Sequence, residues 1–299
     1  MTQKNFMELL TRKLGEYFPK EKYVIQSDLF IKNNDTKRYG IVIHPIGGTV
    51  APTIYIDHFY DDYMKKKGTI EEIAFQIRQI MQGFEESEDT YQAFSANYED
   101  CRPQIIYRLI SREKNQEYLS GIPHVPFLNL AIIFVIVHQL SEEGLESICI
   151  TNELQNKWEV STKDLYQIAA SNTPRLLPPS ISTMAHAIEN FFGEAARELL
   201  EDEKPIPHLY IISNQYGING ATSLLYENFI QNLAEEKQQN FYVLPSSIHE
   251  ILLIPDISQG ALPHLSQMVK EINEKHVRED EILSDCAYYY DRIEKRFTM

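Results

Sequence analysis

The most apolar run in the chain, Leu130 to Val137, is about eight residues long, and it sets the first limit on the fold. A membrane-spanning helix needs about twenty apolar residues, so this run predicts a buried element of a globular core. Ile132, Ile133, Phe134, Val135, Ile136 and Val137 are β-branched or aromatic, which favours a strand covered on both faces over a helix. A strand over Phe127 to Val137 is therefore expected. Another follows at Ser147 to Ile150, and the intervening Leu140 to Glu146 leaves little room for a crossover helix. The two strands should pair antiparallel, which argues against a doubly wound parallel sheet.

The rest of the chain mixes the two periodicities. Phe6, Leu9, Leu10 and Tyr17 lie on one side of a first helix. Strands at Tyr23 to Ile31 and Tyr39 to His44 follow, joined by Asn33, Asn34 and Asp35, residues that tolerate left-handed turns. Thr69 and Glu72 form a capping box, after which Ile73, Ile77, Ile80 and Phe84 repeat at helical spacing. A strand is expected at Ile105 to Ile110. Ser161 and Asp164 form a second capping box, and Asn172 with Pro174 predicts the end of that helix. A further helix is expected through Met184, Ile188, Phe192, Ala195 and Leu199, with a loop at Pro205 and Pro207. The last third predicts a strand (Leu209 to Ser213), a glycine-containing loop and a helix (Leu225, Phe229, Leu233). Two strands (Phe241 to Leu244, Ile251 to Ile254), a helix (Leu265 to Ile272) and a strand (Ala287 to Tyr290) complete it. The class is α+β, with mixed, largely antiparallel sheets and helices packed on them. The acidic Glu85 to Asp89 segment marks the expected division, residues 1–90 as an N-terminal subdomain and 91–299 as a C-terminal domain.

Charge narrows the partners. Lys and Arg total 28 against 43 Asp and Glu, a net charge of -15, which opposes approach to a phosphate backbone or an anionic membrane. Non-specific nucleic-acid binding and membrane association are not expected. Cys101, Cys149 and Cys286 are far apart and form no C-x-x-C pair, so reduced thiols are expected rather than a disulfide framework or zinc site. Residues Met1 to Phe18 lack the uninterrupted apolar stretch of a signal peptide. A cytoplasmic location is the expectation.

Common catalytic signatures are missing: there is no phosphate loop, no dinucleotide-binding glycine motif and no nucleophile elbow. His249-Glu250 opens like a metalloprotease helix, but Leu253 stands where the second histidine belongs. The nine histidines do not cluster in sequence, and neither a metal nor a cofactor is expected. The segment from Tyr242 to Asp256 is the most suggestive, with Ser246, Ser247, His249 and Glu250 set between two apolar runs. A serine, a histidine and a carboxylate there are the ingredients of nucleophilic catalysis. The same residues equally serve a turn, with the serines bonding free backbone N–H groups. Asn214 lies in a loop suited to a small polar ligand or to a tight turn. Arg175 suits a carboxylate clamp or a structural ion pair. Asp285 and Tyr288 belong to a tyrosine-rich segment that lines a pocket or packs on the core.

These segments resemble a bacterial family of unknown function, domain-of-unknown-function family fifty-six eighty-eight, typical of anaerobic Gram-positive bacteria. The likeness is carried by Ala51 to Tyr55, Phe59-Tyr60, Pro123-His124, Phe127 to Ala131 and Ile150 to Asn152. It continues through Asn172 to Pro178, Leu244 to Glu250, Leu283 to Asp285 and Tyr288 to Arg292. The resemblance implies a cytoplasmic bacterial protein and attaches no catalytic role to any residue. Two functions from different classes are consistent with the sequence: a regulatory module binding a protein or a small polar ligand, and a hydrolase built around Ser246, His249 and Glu250.

Overall fold

The computed structural model describes residues 1–46, 53–86, 97–141, 144–183, 209–256 and 261–299. Contacts divide the chain into two compact units, residues 1–32 with 36–100 and residues 33–35 with 101–299. All strand pairings are antiparallel, and the α+β class expected from the sequence is the observed one.

In the first unit α1 (Gln3–Leu14) precedes β1 (Tyr23–Ile31), β2 (Lys37–Pro45) and β3 (Thr53–Tyr55), which form a three-stranded sheet in that order. Helices α2 (Asp57–Met64) and α3 (Ile70–Glu86) follow. Alternation turns Ile41 and Ile43 of β2 into the core, where they meet Phe6, Leu10 and Leu14 of α1 and Ile73 and Ile77 of α3. The capping box forms as expected: the Thr69 N–H donates to Glu72 Oε2 at 2.8 Å, and the Glu72 N–H to Thr69 Oγ1 at 3.3 Å. The expected break at Glu85 to Asp89 runs outside the described residues from position 87.

The second unit opens at the end of α4 (Tyr98–Cys101) and carries two sheets. In one, β4 (Ile105–Ser111), β5 (His124–Phe127) and β7 (Gly144–Cys149) all pair with the long β6 (Leu130–Ser141). Residues Leu130 to Val137 are all buried, as a strand covered on both faces requires. The continuous strand expected over Phe127 to Val137 is instead two strands. Leu128 adopts a left-handed φ of 52°, and Phe127 pairs with Leu130 across the Leu128-Asn129 turn. A leucine carries no turn signal, so the sequence conceals this hairpin.

After α5 (Gln116–Ser120) and α6 (Asn152–Trp158), helix α7 (Thr162–Leu176) packs on β4. It begins with the expected Ser161–Asp164 box but passes through Asn172 and Pro174 to end at Leu176. Tertiary bonds hold that last turn in place. Asn172 Nδ2 donates to the Arg102 and Ile105 carbonyls at 2.8 and 3.0 Å, and the Tyr107 N–H donates to the buried Thr173 Oγ1 at 3.1 Å.

The other sheet has six strands: β8 (Pro179–Thr183), β9 (Tyr210–Asn214), β10 (Phe241–Leu244), β11 (Ile251–Pro255), β12 (Tyr288–Asp291) and β13 (Arg296–Thr298). Their spatial order is β13-β12-β10-β11-β9-β8. Helices α8 (Phe229–Lys237) and α9 (Leu262–His276) complete the unit, with α9 against β10. Leu225, expected in the same helix as Phe229, ends a separate 3-10 turn at Gly220–Leu225. The helix through Met184 to Leu199 and the loop at Pro205 and Pro207 lie outside the described residues.

Candidate functional site

Between β10 and β11 the chain from Pro245 to Glu250 lies against the segment Glu281 to Ser284. The Ile248 N–H donates to the Glu281 carbonyl, the Leu283 N–H to that of Ser246 and the Ser284 N–H to that of Pro245, at 2.9 to 3.0 Å. Side chains then join this pair of segments to α9. Ser246 Oγ donates to Asn273 Oδ1 at 2.5 Å, while Asn273 Nδ2 donates to the Ser284 carbonyl at 2.9 Å and to Asp285 Oδ1 at 2.8 Å. Asp285 Oδ2 meets Lys114 Nζ at 2.8 Å. Burial pulls the Asp285 carboxyl upward, but the Lys114 ammonium and the Asn273 amide outweigh it, and its pKa lies below the usual carboxylate value. Tyr288 donates to Asn129 Oδ1 at 2.5 Å, and Asn129 Nδ2 donates to Ser284 Oγ at 3.0 Å. Burial pushes the Tyr288 phenol up, so it stays a neutral donor. Ser246, Asp285 and Tyr288 thus share one hydrogen-bonded network with Asn273, Ser284 and Asn129.

Ser247 and His249 belong to a second cluster. The Ser247 hydroxyl accepts the His249 backbone N–H at 3.0 Å, closing a local turn, and Ser213 Oγ donates to the His249 carbonyl at 2.8 Å. The Asn219 N–H points at His249 Nδ1, 3.4 Å away. A backbone N–H only donates, so Nδ1 accepts and the ring proton sits on Nε2, 3.7 Å from Glu281 Oε1. Glu281 also meets Arg278 Nη1 at 3.2 Å. Gly220 is required here: a Cβ would collide with Ser213 and the His249 carbonyl.

The remaining candidates stand apart. Asn214 folds its own loop, donating to the Ile218 carbonyl at 2.7 Å and accepting the Tyr216 N–H at 2.9 Å. Arg175 donates to the Pro103 carbonyl at 2.6 Å and to Asn172 Oδ1 at 3.3 Å, fixing the end of α7. Glu250 is exposed. Among the described residues, no hydrogen bond or ion pair joins Arg175 or Asn214 to His249 or Asp285.

Chemically, the arrangement holds loops. The Ser246 hydroxyl is spent on an amide, not on a base, and the Ser247 hydroxyl faces the backbone of His249 rather than its ring. Cys286, next to Asp285, is no better a nucleophile: burial and then the neighbouring Glu113 and Asp285 carboxylates push its thiol up, away from the thiolate. Two features escaped the sequence reading. Asn129 and Asn273 organise the network, and Arg108 lies inside an apolar strand. A lone charge within Ile105 to Ile110 was the visible signal for Arg108; nothing in the local sequence marks either asparagine.

Among the described residues, no helix is long and apolar enough to cross a membrane, and no three His, Cys, Asp or Glu side chains are gathered as metal ligands. Fold and site together define an α+β protein with an asparagine-bonded polar interior. The chain belongs to a family of unknown function (DUF5688), which matches residues 3–292. No curated protein and no solved structure matches it.

Proposed function

We propose that this protein is a regulatory module that binds a partner or small polar ligand and does not hydrolyse it. The observation that supports this reading is the engagement of the Ser246 and Ser247 hydroxyls by Asn273 and by the His249 backbone. A serine hydrolase needs a hydroxyl aimed at an imidazole base, and reaching that state would break both contacts. The candidate residues then act as loop anchors that shape a binding surface. A cytoplasmic bacterial setting belongs to the same proposal, supported by the acidic composition and by three cysteines that are all free thiols. The N-terminal subdomain of residues 1–90 and the C-terminal domain of residues 91–299 are part of it as well.

The test is a panel of ester, amide and phosphoester substrates offered to wild-type protein and to His249→Ala. No turnover above the buffer blank is expected from either. Turnover by wild type that disappears in His249→Ala would establish the hydrolase reading with Ser246, His249 and Glu250 instead.

A further inference from the structure

Strand β1 lies at the edge of the first unit's sheet, where it pairs only with β2. The Ile46 N–H donates to the Lys22 carbonyl and the Lys32 N–H to the Thr36 carbonyl, each at 2.8 Å. Antiparallel pairs alternate between bonded and non-bonded, so the even-numbered residues of β1 point their N–H and C=O groups at β2. Those of Tyr23, Ile25, Ser27, Leu29 and Ile31 point away from it. Two of these N–H groups are taken: Tyr23 donates to the Pro19 carbonyl at 2.9 Å and Leu29 to Asp28 Oδ1 at 2.7 Å. Among the described residues, those of Ile25, Ser27 and Ile31 have no acceptor.

Edge strands are ordinarily kept short, or carry proline, lysine or a bulge that stops another chain from pairing. β1 has nine residues without proline, glycine or lysine, an unbroken register with β2, and Asp28 as its single charge. Lys32, just past the strand, turns its ammonium over the Tyr55 ring of β3, 4.3 Å from the centroid and on the far side of β2. Val24 and Leu29 are 36% and 39% exposed, and Gln26 and Asp28 are exposed as well. Exposed apolar side chains along an unpaired edge of this length suit the addition of a strand.

The sequence of β1 selects which strand that is. Laid antiparallel on a second β1 about a two-fold axis at Ser27, all nine residues find a counterpart. On one face Ile25 meets Leu29 of the other copy and Tyr23 meets its Ile31; on the opposite face Val24 meets its Phe30 and Gln26 its Asp28. Apolar residues oppose apolar ones, and an amide opposes the only charge, as favourable cross-strand pairs require. Moving the axis one residue forward would set Asp28 against Asp28, and one residue back would set it against Val24. The turn of Lys32 toward Tyr55 also keeps it from Lys22 of the other copy. We propose that the free edge of β1 joins the same edge of a second copy, extending two three-stranded sheets into one of six strands. In the pair the Leu29 N–H passes from Asp28 to the Ile25 carbonyl of the other copy, and the released carboxylate accepts the Gln26 amide. This goes beyond the reading above, since no residue of the candidate site lies on β1.

The test is sedimentation velocity of the full chain over a concentration series. It is run at an ionic strength of about 0.15 M, which screens the repulsion between two acidic chains. Wild type should be a dimer that dissociates on dilution. Ser27→Pro should be a monomer with the circular dichroism of wild type, because the Ser27 N–H points away from β2 and its loss costs only the edge. Gln26→Lys, which places an ammonium opposite Asp28 of the other copy twice per dimer, should tighten the dimer about fivefold. Gln26→Glu should loosen it by a similar factor. A wild type that stays monomeric throughout its soluble range overturns the proposal and leaves the edge to an extended segment of another protein. An assembly larger than a dimer, or a dimer that survives in folded Ser27→Pro, overturns it too. If Ser27→Pro does not fold, the Gln26 variants decide, and equal dissociation constants for Gln26→Lys and Gln26→Glu overturn it. None of these outcomes touches the non-catalytic reading, which falls only if hydrolysis is lost in His249→Ala.

Discussion

The two compact units are stabilised in different ways. In the first, residues from α1, β2 and α3 meet in one apolar cluster, and among the described residues no polar side chain is buried whole, although the single atoms Thr11 Oγ1 and Asp57 Oδ2 are. In the second, twelve polar residues are buried among the described ones and six of them are asparagines: Asn34, Asn115, Asn129, Asn214, Asn219 and Asn273. An asparagine amide both donates and accepts without carrying charge, so it ties irregular backbone at little desolvation penalty once paired. Asn115 shows the pattern: its Nδ2 donates to the Ser111 carbonyl at 2.7 Å and to Asn34 Oδ1 at 3.0 Å, while its Oδ1 accepts the Asn34 N–H at 2.7 Å. Hydrophobic burial is non-directional and forgives a change of shape. A hydrogen-bonded seam depends on donor and acceptor identity at each position.

That contrast can be broken by paired substitutions. In the first unit Leu10→Ala should be the costliest change, about 3 kcal/mol, because it removes buried methyl groups and leaves a cavity, whereas Leu10→Met should cost less than about 1.5 kcal/mol. In the second, Asn273→Ala should cost about 2 kcal/mol by orphaning the Ser246 hydroxyl and the Ser284 carbonyl. The isosteric Asn273→Asp should be no gentler, since it replaces both N–H donors and places a carboxylate beside Asp285. Urea unfolding followed by circular dichroism and by the fluorescence of Trp158, the single tryptophan, measures all four. Should Asn273→Asp be as mild as Leu10→Met, the directional account of the second unit is wrong.

Asp285 sharpens the comparison through pH. Its folded pKa lies below the usual value, and an unfolded aspartate titrates near 3.9. A group with a depressed folded pKa stabilises the fold above the unfolded value, and this stabilisation disappears as pH falls through the folded value. The stability difference between wild type and Asp285→Asn should therefore be constant from about pH 5 upward and shrink below about pH 4. Lys114→Ala should diminish it at neutral pH, because the ammonium is the chief group holding the carboxyl down. Urea midpoints across this range provide the measurement, and a difference that persists unchanged into acid would remove Asp285 from the network's electrostatics.

The first unit was largely legible in the sequence for the reason it is robust. Its core follows periodicity: Leu10 in α1, Ile73 and Ile77 in α3, and the alternation that buries Ile41 and Ile43. The Leu130 to Val137 strand was legible likewise. What the sequence concealed was non-local or conformational. Leu128 takes a left-handed turn without being a turn residue, and α7 passes Pro174 because β4 and its approach supply the bonds that anchor its end. Three strands, β3, β8 and β13, are short and lack a strong alternating pattern. Ser246 was noticed between two apolar runs, and Asp285 and Tyr288 in a tyrosine-rich segment, but the amides that unite them come from α9 and from the β5–β6 turn, far away in sequence. Arg108 was visible as a charge within an apolar strand, and only the structure reveals that no carboxylate among the described residues answers it.

The smallest effect expected is a control on the whole comparison. Each unit contains the same local device, Thr69–Glu72 at the start of α3 and Ser161–Asp164 at the start of α7, where the Ser161 N–H donates to Asp164 Oδ2 at 3.0 Å and the Asp164 N–H to Ser161 Oγ at 3.1 Å. In both boxes hydrogen bonds from the cap lower the carboxyl pKa, from backbone and side chain of Thr69 for Glu72 and from side chain and backbone of Ser161 for Asp164. A cap satisfies helix N–H groups that have no intrahelical partner, whatever lies beneath the helix. Thr69→Ala and Ser161→Ala should each cost about 1 kcal/mol, by urea unfolding at neutral pH. If these two agree while the Leu10 and Asn273 series diverge, the units differ in their interiors and not in how their helices begin. A Ser161→Ala cost well above that of Thr69→Ala would instead mean that the start of α7 is itself part of the polar seam.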